Sequence, residues 1–347
     1  MRRTIAKGIG SLGTIAGAAA FLLSSGCSLQ TADASKFREP IPQTSQVALA
    51  IAGSQVGGTA STQSAAGTSV RPENGPGAGT GSGAGTGTGT GYASYYQFTR
   101  SITDSVDTVT VAILGEVEAV IDLPPTTVDA THAVWGPGSS DALDPVSWKL
   151  TVTATGGGQY TYEVDGRPHL STSDADWKAI LTGQGYDDTS PSYQSGSFVV
   201  DNDAMRALDT TTTTSTGTVT ITYDARSYPL NAAANVNPND GTGQYYDVTV
   251  LHGVDGSGIM SLTALSDIST PPSGVNENVA ENSRWDSTGA GRADVQLSGG
   301  QFGATTVLVS QCWAEDFAQT YYTDSVGYEP TAGQASTCVF GQASFSN

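Results

Sequence analysis

Positive charge is scarce in this chain. Lys and Arg together number 14 against 33 Asp and Glu, a net charge of −19 over 347 residues. A surface of that sign repels phosphate backbones and anionic headgroups, so nucleic acid is a poor partner. Charge of either sign is thin at 14% of residues, while Gly numbers 43, and this is not the composition of a helical bundle. Histidine is nearly absent: His132, His169 and His252 are scattered, and no two sit at ligand spacing on one helical turn. There is no Gly-x-Ser-x-Gly elbow, and no phosphate-binding glycine loop leads from a strand into a helix. No cofactor, metal or catalytic residue is therefore expected, although the many carboxylates leave a glycosidase-type pair as one catalytic option. Asp201, Asp203 and Asp209, or Asn237, Asn239 and Asp240, carry calcium-binding chemistry without a calcium-loop spacing, and turn formation accounts for them equally well.

Long apolar runs are lacking too. The stretch Gly8 to Leu23 has no charge, but it is short and rich in Gly and Ala, unlike a span of about 20 strongly apolar residues. It follows the basic start Met1-Arg2-Arg3-Thr4-Ile5-Ala6-Lys7 and ends in Ser24-Ser25-Gly26-Cys27. Basic start, apolar core and small residues before a cysteine resemble the signal and lipobox of bacterial lipoproteins, with Ser24 where that family usually has Leu. The resemblance implies that residues 1–26 are removed and that Cys27 carries lipid at the mature N-terminus. With Ser28 rather than Asp after the cysteine, it implies the outer membrane, the partner being the membrane itself through the anchor. Removing residues 1–26 takes away Arg2, Arg3 and Lys7 and no acid, which moves the net charge from −19 to −22.

Cysteine is as scarce as histidine, with three in all: Cys27, Cys312 and Cys338. If lipid takes Cys27, an even pair remains in an oxidising compartment, and a Cys312–Cys338 disulfide is expected. It would close a loop of about 26 residues and add roughly 3–4 kcal/mol in the chain-entropy model.

Residues 27–91 read as a lipid-anchored tether, within which the apolar run Val47-Ala48-Leu49-Ala50-Ile51-Ala52 could be a short docked strand or helix. In the stretch 53–91, 13 residues are Gly and only Arg71 and Glu73 are charged; such a segment builds no core and spans about 35 Å as a coil. Order is expected from 92 to 347 as a single β-rich domain. Phe98, Ile102, Val106, Val109, Ile113, Val117 and Val120 recur at steps of three and four, one stripe on an α-helix that Pro124-Pro125 ends. Arg100, Thr103, Asp104, Asp107 and Glu118 fall off that stripe. Beyond Ala130 the period becomes two. Trp148–Ala154 and Tyr160–Val164 form a hairpin across Gly156-Gly157-Gly158, and Tyr245–His252 with Ile259–Leu265 form another. Further strand runs are Trp177–Leu181, Ser197–Val200, Thr218–Tyr223, Arg292–Leu297 and Thr305–Cys312, and Asn202–Asp209 reads as a second helix.

The expected fold is mainly β: an antiparallel meander of about 8–11 strands, curved as a half-barrel around one long amphipathic helix, with a β-sandwich as the alternative. In outline this resembles the half-barrels of lipoprotein-carrier and outer-membrane lipoprotein-acceptor proteins, a likeness of architecture only. The stretches Ser283–Val295 and Cys312–Phe317 resemble pieces of uncharacterised envelope lipoproteins, and no activity comes with that resemblance. The function expected is a non-catalytic envelope lipoprotein that binds an apolar ligand or another envelope component such as a protein. The alternatives are a carbohydrate-binding or adhesive module, resting on Trp135, Trp148, Trp177, Trp285, Trp313 and three Tyr doublets, and a carboxylate-dependent hydrolase. Aromatics on strands more often fill cores.

Overall fold

The computed structural model describes residues 34–49, 51, 92–139, 145–190, 193–209, 215–268 and 273–345. The signal, Cys27 and the glycine-rich stretch 53–91 lie outside the described residues, as does the side chain of Val109. Ala32–Asn347 form one folded unit.

The α-helices among the described residues are α1 (Thr44–Val47), α2 (Ser94–Ile121) and α3 (Asn202–Leu208). The strands are β1 (Thr127–Val128), β2 (His132–Gly138), β3 (Val146–Gly156), β4 (Gln159–Pro168), β5 (Lys178–Tyr186), β6 (Ser195–Asp201), β7 (Thr218–Asp224) and β8 (Leu230–Asn237). They continue as β9 (Tyr245–His252), β10 (Gly258–Ser266), β11 (Glu277–Trp285), β12 (Gly291–Gly299), β13 (Val307–Trp313), β14 (Gln319–Asp324) and β15 (Ala332–Gly333). All are in one sheet, each strand antiparallel to the next in chain order, and β1 does not meet β15. The sheet is an open, curved meander packed on α2, which is the half-barrel rather than the sandwich.

The meander gives the sheet two rims. The turns β1–β2, β3–β4, β5–β6, β7–β8, β9–β10, β11–β12 and β13–β14 share the first, and the intervening turns share the second. The hairpin at Gly156-Gly157-Gly158 forms where expected, with positive φ at all three glycines. Fifteen strands exceed the expected number because β1, β2, β8, β11, β14 and β15 carry weak alternation.

Helix α2 begins without a cap from its own N-cap residue, Ala93. The missing acceptor comes from β13: Gln311 Oε1 takes the Tyr95 N–H at 2.7 Å, satisfying one of the orphan donors of a helix start. From there α2 crosses the inner face of the sheet. Tyr96 stacks on Phe317 with centroids 4.3 Å apart, Thr99 meets Glu281 and Ser283 of β11, and the Leu123 carbonyl accepts from Trp135 Nε1 of β2 at 2.9 Å. Phe98, Ile102, Val106 and Val117 of the stripe are buried, and Ile113 and Val120 pack against the core from half-buried positions. Leu150, Tyr160, Val219, Ile221 and Val295 meet them from the sheet, all buried, with Trp148 partly so. The buried arc is wider than the stripe, however. Thr99, Thr103, Asp107 and Thr110, at steps of four, four and three, are buried as well.

Asp107 is buried because it holds the N-terminal segment: its Oδ1 accepts the Leu49 N–H at 2.7 Å, and Glu118 Oε1 accepts the Thr44 N–H at 2.9 Å. This corrects the extent of the tether. Phe37, Val47 and Leu49 are fully buried, with Ile41 and Ile51 close behind, so residues 34–49 and Ile51 belong to the folded body rather than to a linker. Docking of the apolar run was open from the sequence, as strand or helix; the burial of Phe37 and Ile41 upstream was not legible, because they stand singly among polar residues. The glycine-rich stretch is bracketed by Ile51 and by Tyr92, whose backbone bridges to Ala318; it is an insertion in the folded body and not a spacer before it.

The expected Cys312–Cys338 disulfide is present, its Cα atoms 5.5 Å apart. It fastens the C-terminal segment to the outer face of β11–β13. There Asp294 accepts from Arg284 at 2.9 Å and Arg292 at 2.8 Å. Arg284 then donates to the Gln342 carbonyl and Arg292 to the Phe340 carbonyl. The buried Arg292 and the part-buried Arg284 thereby share the buried Asp294 carboxylate, as burial of charge requires, and Arg284 Nε is left without a partner.

Candidate functional site

The three histidines are not brought together, whereas Asn239 of one polar set does reach Asp203 of the other, donating to its Oδ2 at 3.0 Å. His132 lies at the start of β2 beside Thr131, His169 follows β4 near Ser147, and His252 ends β9. Burial lowers the His252 pKa, opposed by a hydrogen bond with the Ala48 backbone. Asp201 caps α3 by accepting the Ala204 N–H, Asp203 pairs with Arg206 and Asn239, and Asp240 closes a turn on Thr242. These acids are engaged in capping and turn contacts. Among the described residues no group of three or more His, Cys, Asp or Glu is placed to hold a metal ion. Trp135, Trp285 and Trp313 are core residues, each 2% exposed.

A polar seam lies inside the fold, where β11 faces α2. Glu281, 2% exposed, accepts Thr99 Oγ1 through Oε1 at 2.8 Å and Ser283 Oγ at the same distance. Its Oε2 has no partner. Burial raises its pKa from 4.5 to about 7, and the two hydroxyl bonds oppose that rise. The seam is sealed from solvent and is no ligand site as it stands.

The accessible polar chemistry is on the outer face of β3–β6, around an open trough of about 430 Å³. The pleat sends alternate residues outward, and the register aligns them in two rows across the four strands. One row is Thr151, Glu163, Thr182 and Val199; the other is Thr153, Thr161, Gln184 and Ser197. Hydroxyls and one amide therefore stand side by side at strand spacing, about 4.8 Å apart. On the inner face behind them, Gly183 leaves room for the Tyr162 ring; a Cβ there would meet it at 2.3 Å.

One end of the trough carries charge and an aromatic ring. Lys149 and Asp165 pair at 3.0 Å. Lys149 Nζ also lies 4.8 Å and Arg167 Cζ 4.4 Å from the centroid of the half-buried Trp177 ring. The Glu163 pKa is raised, first by partial burial and then by the charge of Asp165 and a hydrogen bond to it, with Lys149 opposing.

No family model, curated protein or solved structure matches the chain. The trough is a set of hydrogen-bonding groups at strand spacing with few charges, suited to contacting a hydroxyl-rich ligand. The sequence signal for it was the Thr-x-Thr alternation of β3, readable as strand propensity alone; which rows would align depended on pairings that only the fold supplies.

Proposed function

We propose that the protein is a lipid-anchored envelope lipoprotein without catalytic activity, which binds a carbohydrate of the envelope in the outer trough of β3–β6. The lipid anchor at Cys27 and an outer-membrane location are supported by the run that ends in Ser24-Ser25-Gly26-Cys27 and by Ser28 after it. The single observation that carries the binding role is the paired row of Thr, Ser and Gln side chains beside Glu163 and Trp177. The space between α2 and the sheet is filled by Ile102, Leu114, Leu150, Val200, Ile221 and Met260, all buried. That packing favours a polar ligand outside over an apolar one within. A strongly acidic protein suits a neutral or amino-sugar glycan better than an anionic one.

Two measurements test this reading. Cys27→Ala should leave an unprocessed precursor or a protein released from the membrane fraction; unchanged mass and detergent partitioning would reject the anchor. For the trough, the double variant Thr182→Val, Gln184→Val keeps β-propensity and removes a hydroxyl and an amide at neighbouring positions. Titrated with neutral envelope oligosaccharides, it should bind about tenfold more weakly than the unaltered protein, a loss of about 1.4 kcal/mol. Equal binding by the two proteins, or none by either, would remove the trough as the site.

A further inference from the structure

Seven residue steps separate Cys27 from Ala34, which is already buried in the folded body at 6% exposure. Fully extended, such a leash spans at most about 25 Å. Where Ala34 enters the body therefore decides which side of the body can meet the membrane.

It enters at the first rim. Lys36 Nζ donates to the Ala130 carbonyl in the β1–β2 turn at 3.0 Å. The Phe37 ring packs edge-on to Tyr160 at the start of β4, with centroids 5.7 Å apart. The Pro40 backbone presses on Gly185 near the end of β5, where a Cβ would meet its carbonyl oxygen at 2.0 Å. All three partners lie at or beside first-rim turns, and the segment then runs on along that rim to Ala48, which bonds His252 at the end of β9. The second rim is a strand length away: β4 has 10 residues, about 30 Å at the usual rise.

We infer that the first rim, at the corner made by the β1–β2 and β3–β4 turns, is held against the membrane surface, with the second rim turned away from it. The inference rests on lipidation of Cys27. An inverted body would place Ala34 more than a strand length from the lipid, beyond the extended leash. Charge does not draw the rim down. Asp129, Asp187 and Asp188 lie in its turns, and the heads of Lys36 and Arg38 sit on the carbonyls of Ala130 and Leu123. Those acids repel an anionic headgroup layer within about a Debye length, roughly 8 Å. Covalent reach sets the orientation, and the partner of this rim is the lipid headgroup surface. The outer trough then opens sideways, between the membrane and the water.

The test uses the full lipidated protein in vesicles of phosphatidylethanolamine and phosphatidylglycerol that carry a headgroup quencher. An azide-bearing residue is introduced at Ala130, in the first rim, or at Leu170, 93% exposed in the second rim, and coupled to a dye. Quenching should be several-fold stronger at Ala130. Inserting a second copy of residues 53–91 after Ser28 should abolish most of that difference, because the leash no longer constrains the body. Equal quenching at the two sites in protein that floats with the vesicles overturns the orientation and leaves the anchor standing. Failure to float overturns the anchor and the orientation with it.

Discussion

Replacing Ile102 with Asp is expected to abolish the cooperative unfolding transition of this protein. Ile102 is 2% exposed on the face of α2 that meets the sheet. Removing a buried Ile costs about 2–5 kcal/mol through lost transfer and cavity formation, and an unpaired carboxylate placed there adds several kcal/mol more. A domain of ordinary stability holds about 5–15 kcal/mol in reserve, so the variant should be unfolded or degraded. Gly115 gives the control. It is exposed on the opposite side of the same helix, and a Cβ added there meets nothing within 4 Å. Gly115→Asp should therefore shift the thermal midpoint little, helix propensity changing by only a few tenths of a kcal/mol. A folded Ile102→Asp protein with an unchanged midpoint would mean that the sheet does not depend on the helix it surrounds.

That dependence was legible in the chain, because the spacing from Phe98 to Val120 outweighs the β-propensity of its Val and Ile residues. The strands with large alternating side chains were legible for the same reason: Tyr245–His252 coincides with β9. β8 was not, since Ala232, Ala234 and Val236 are small inward residues set among Asn and Ala. β11 was hidden differently. Its inward positions are Glu277, Val279, Glu281, Ser283 and Trp285, all buried, so polar residues stand where a hydrophobic pattern was sought. The partners that make those positions tolerable are elsewhere in the chain. Glu277 takes the backbone N–H groups of Ile268 and Gln301, and Glu281 takes the Thr99 hydroxyl. No local window holds Gln301 with Glu277 or Thr99 with Glu281. The same limit hid the buried Asp107, whose partner Leu49 lies across the glycine-rich insertion. It also hid the trough, whose rows exist only once four strands are in register.

Glu281 carries the second large effect, and its sign follows from its surroundings. Its folded pKa is raised from 4.5 to about 7 by burial, so the folded protein binds a proton that the unfolded chain releases near pH 4.5. A raised pKa contributes stability that is fully present below the unfolded value and is lost as pH rises through the folded one. Between pH 4.5 and about 7 stability should therefore fall with rising pH on account of this group, by on the order of 3 kcal/mol in all. Other groups titrate in that range. Glu163, also raised, pulls in the same direction, while His252, lowered by burial, pulls in the other. The difference between the unaltered protein and Glu281→Gln removes both. Glutamine keeps an oxygen to accept from Thr99 and Ser283 and cannot ionise. In urea unfolding at about pH 5 the two proteins should be close in stability, and at about pH 8 Glu281→Gln should be the more stable by a few kcal/mol. Parallel profiles would mean that Glu281 does not titrate in this window and that the seam between β11 and α2 stays charged throughout. Divergence in the opposite sense, with Glu281→Gln weaker only at high pH, would mean that the ionised carboxylate is held by contacts stronger than the two hydroxyls beside it.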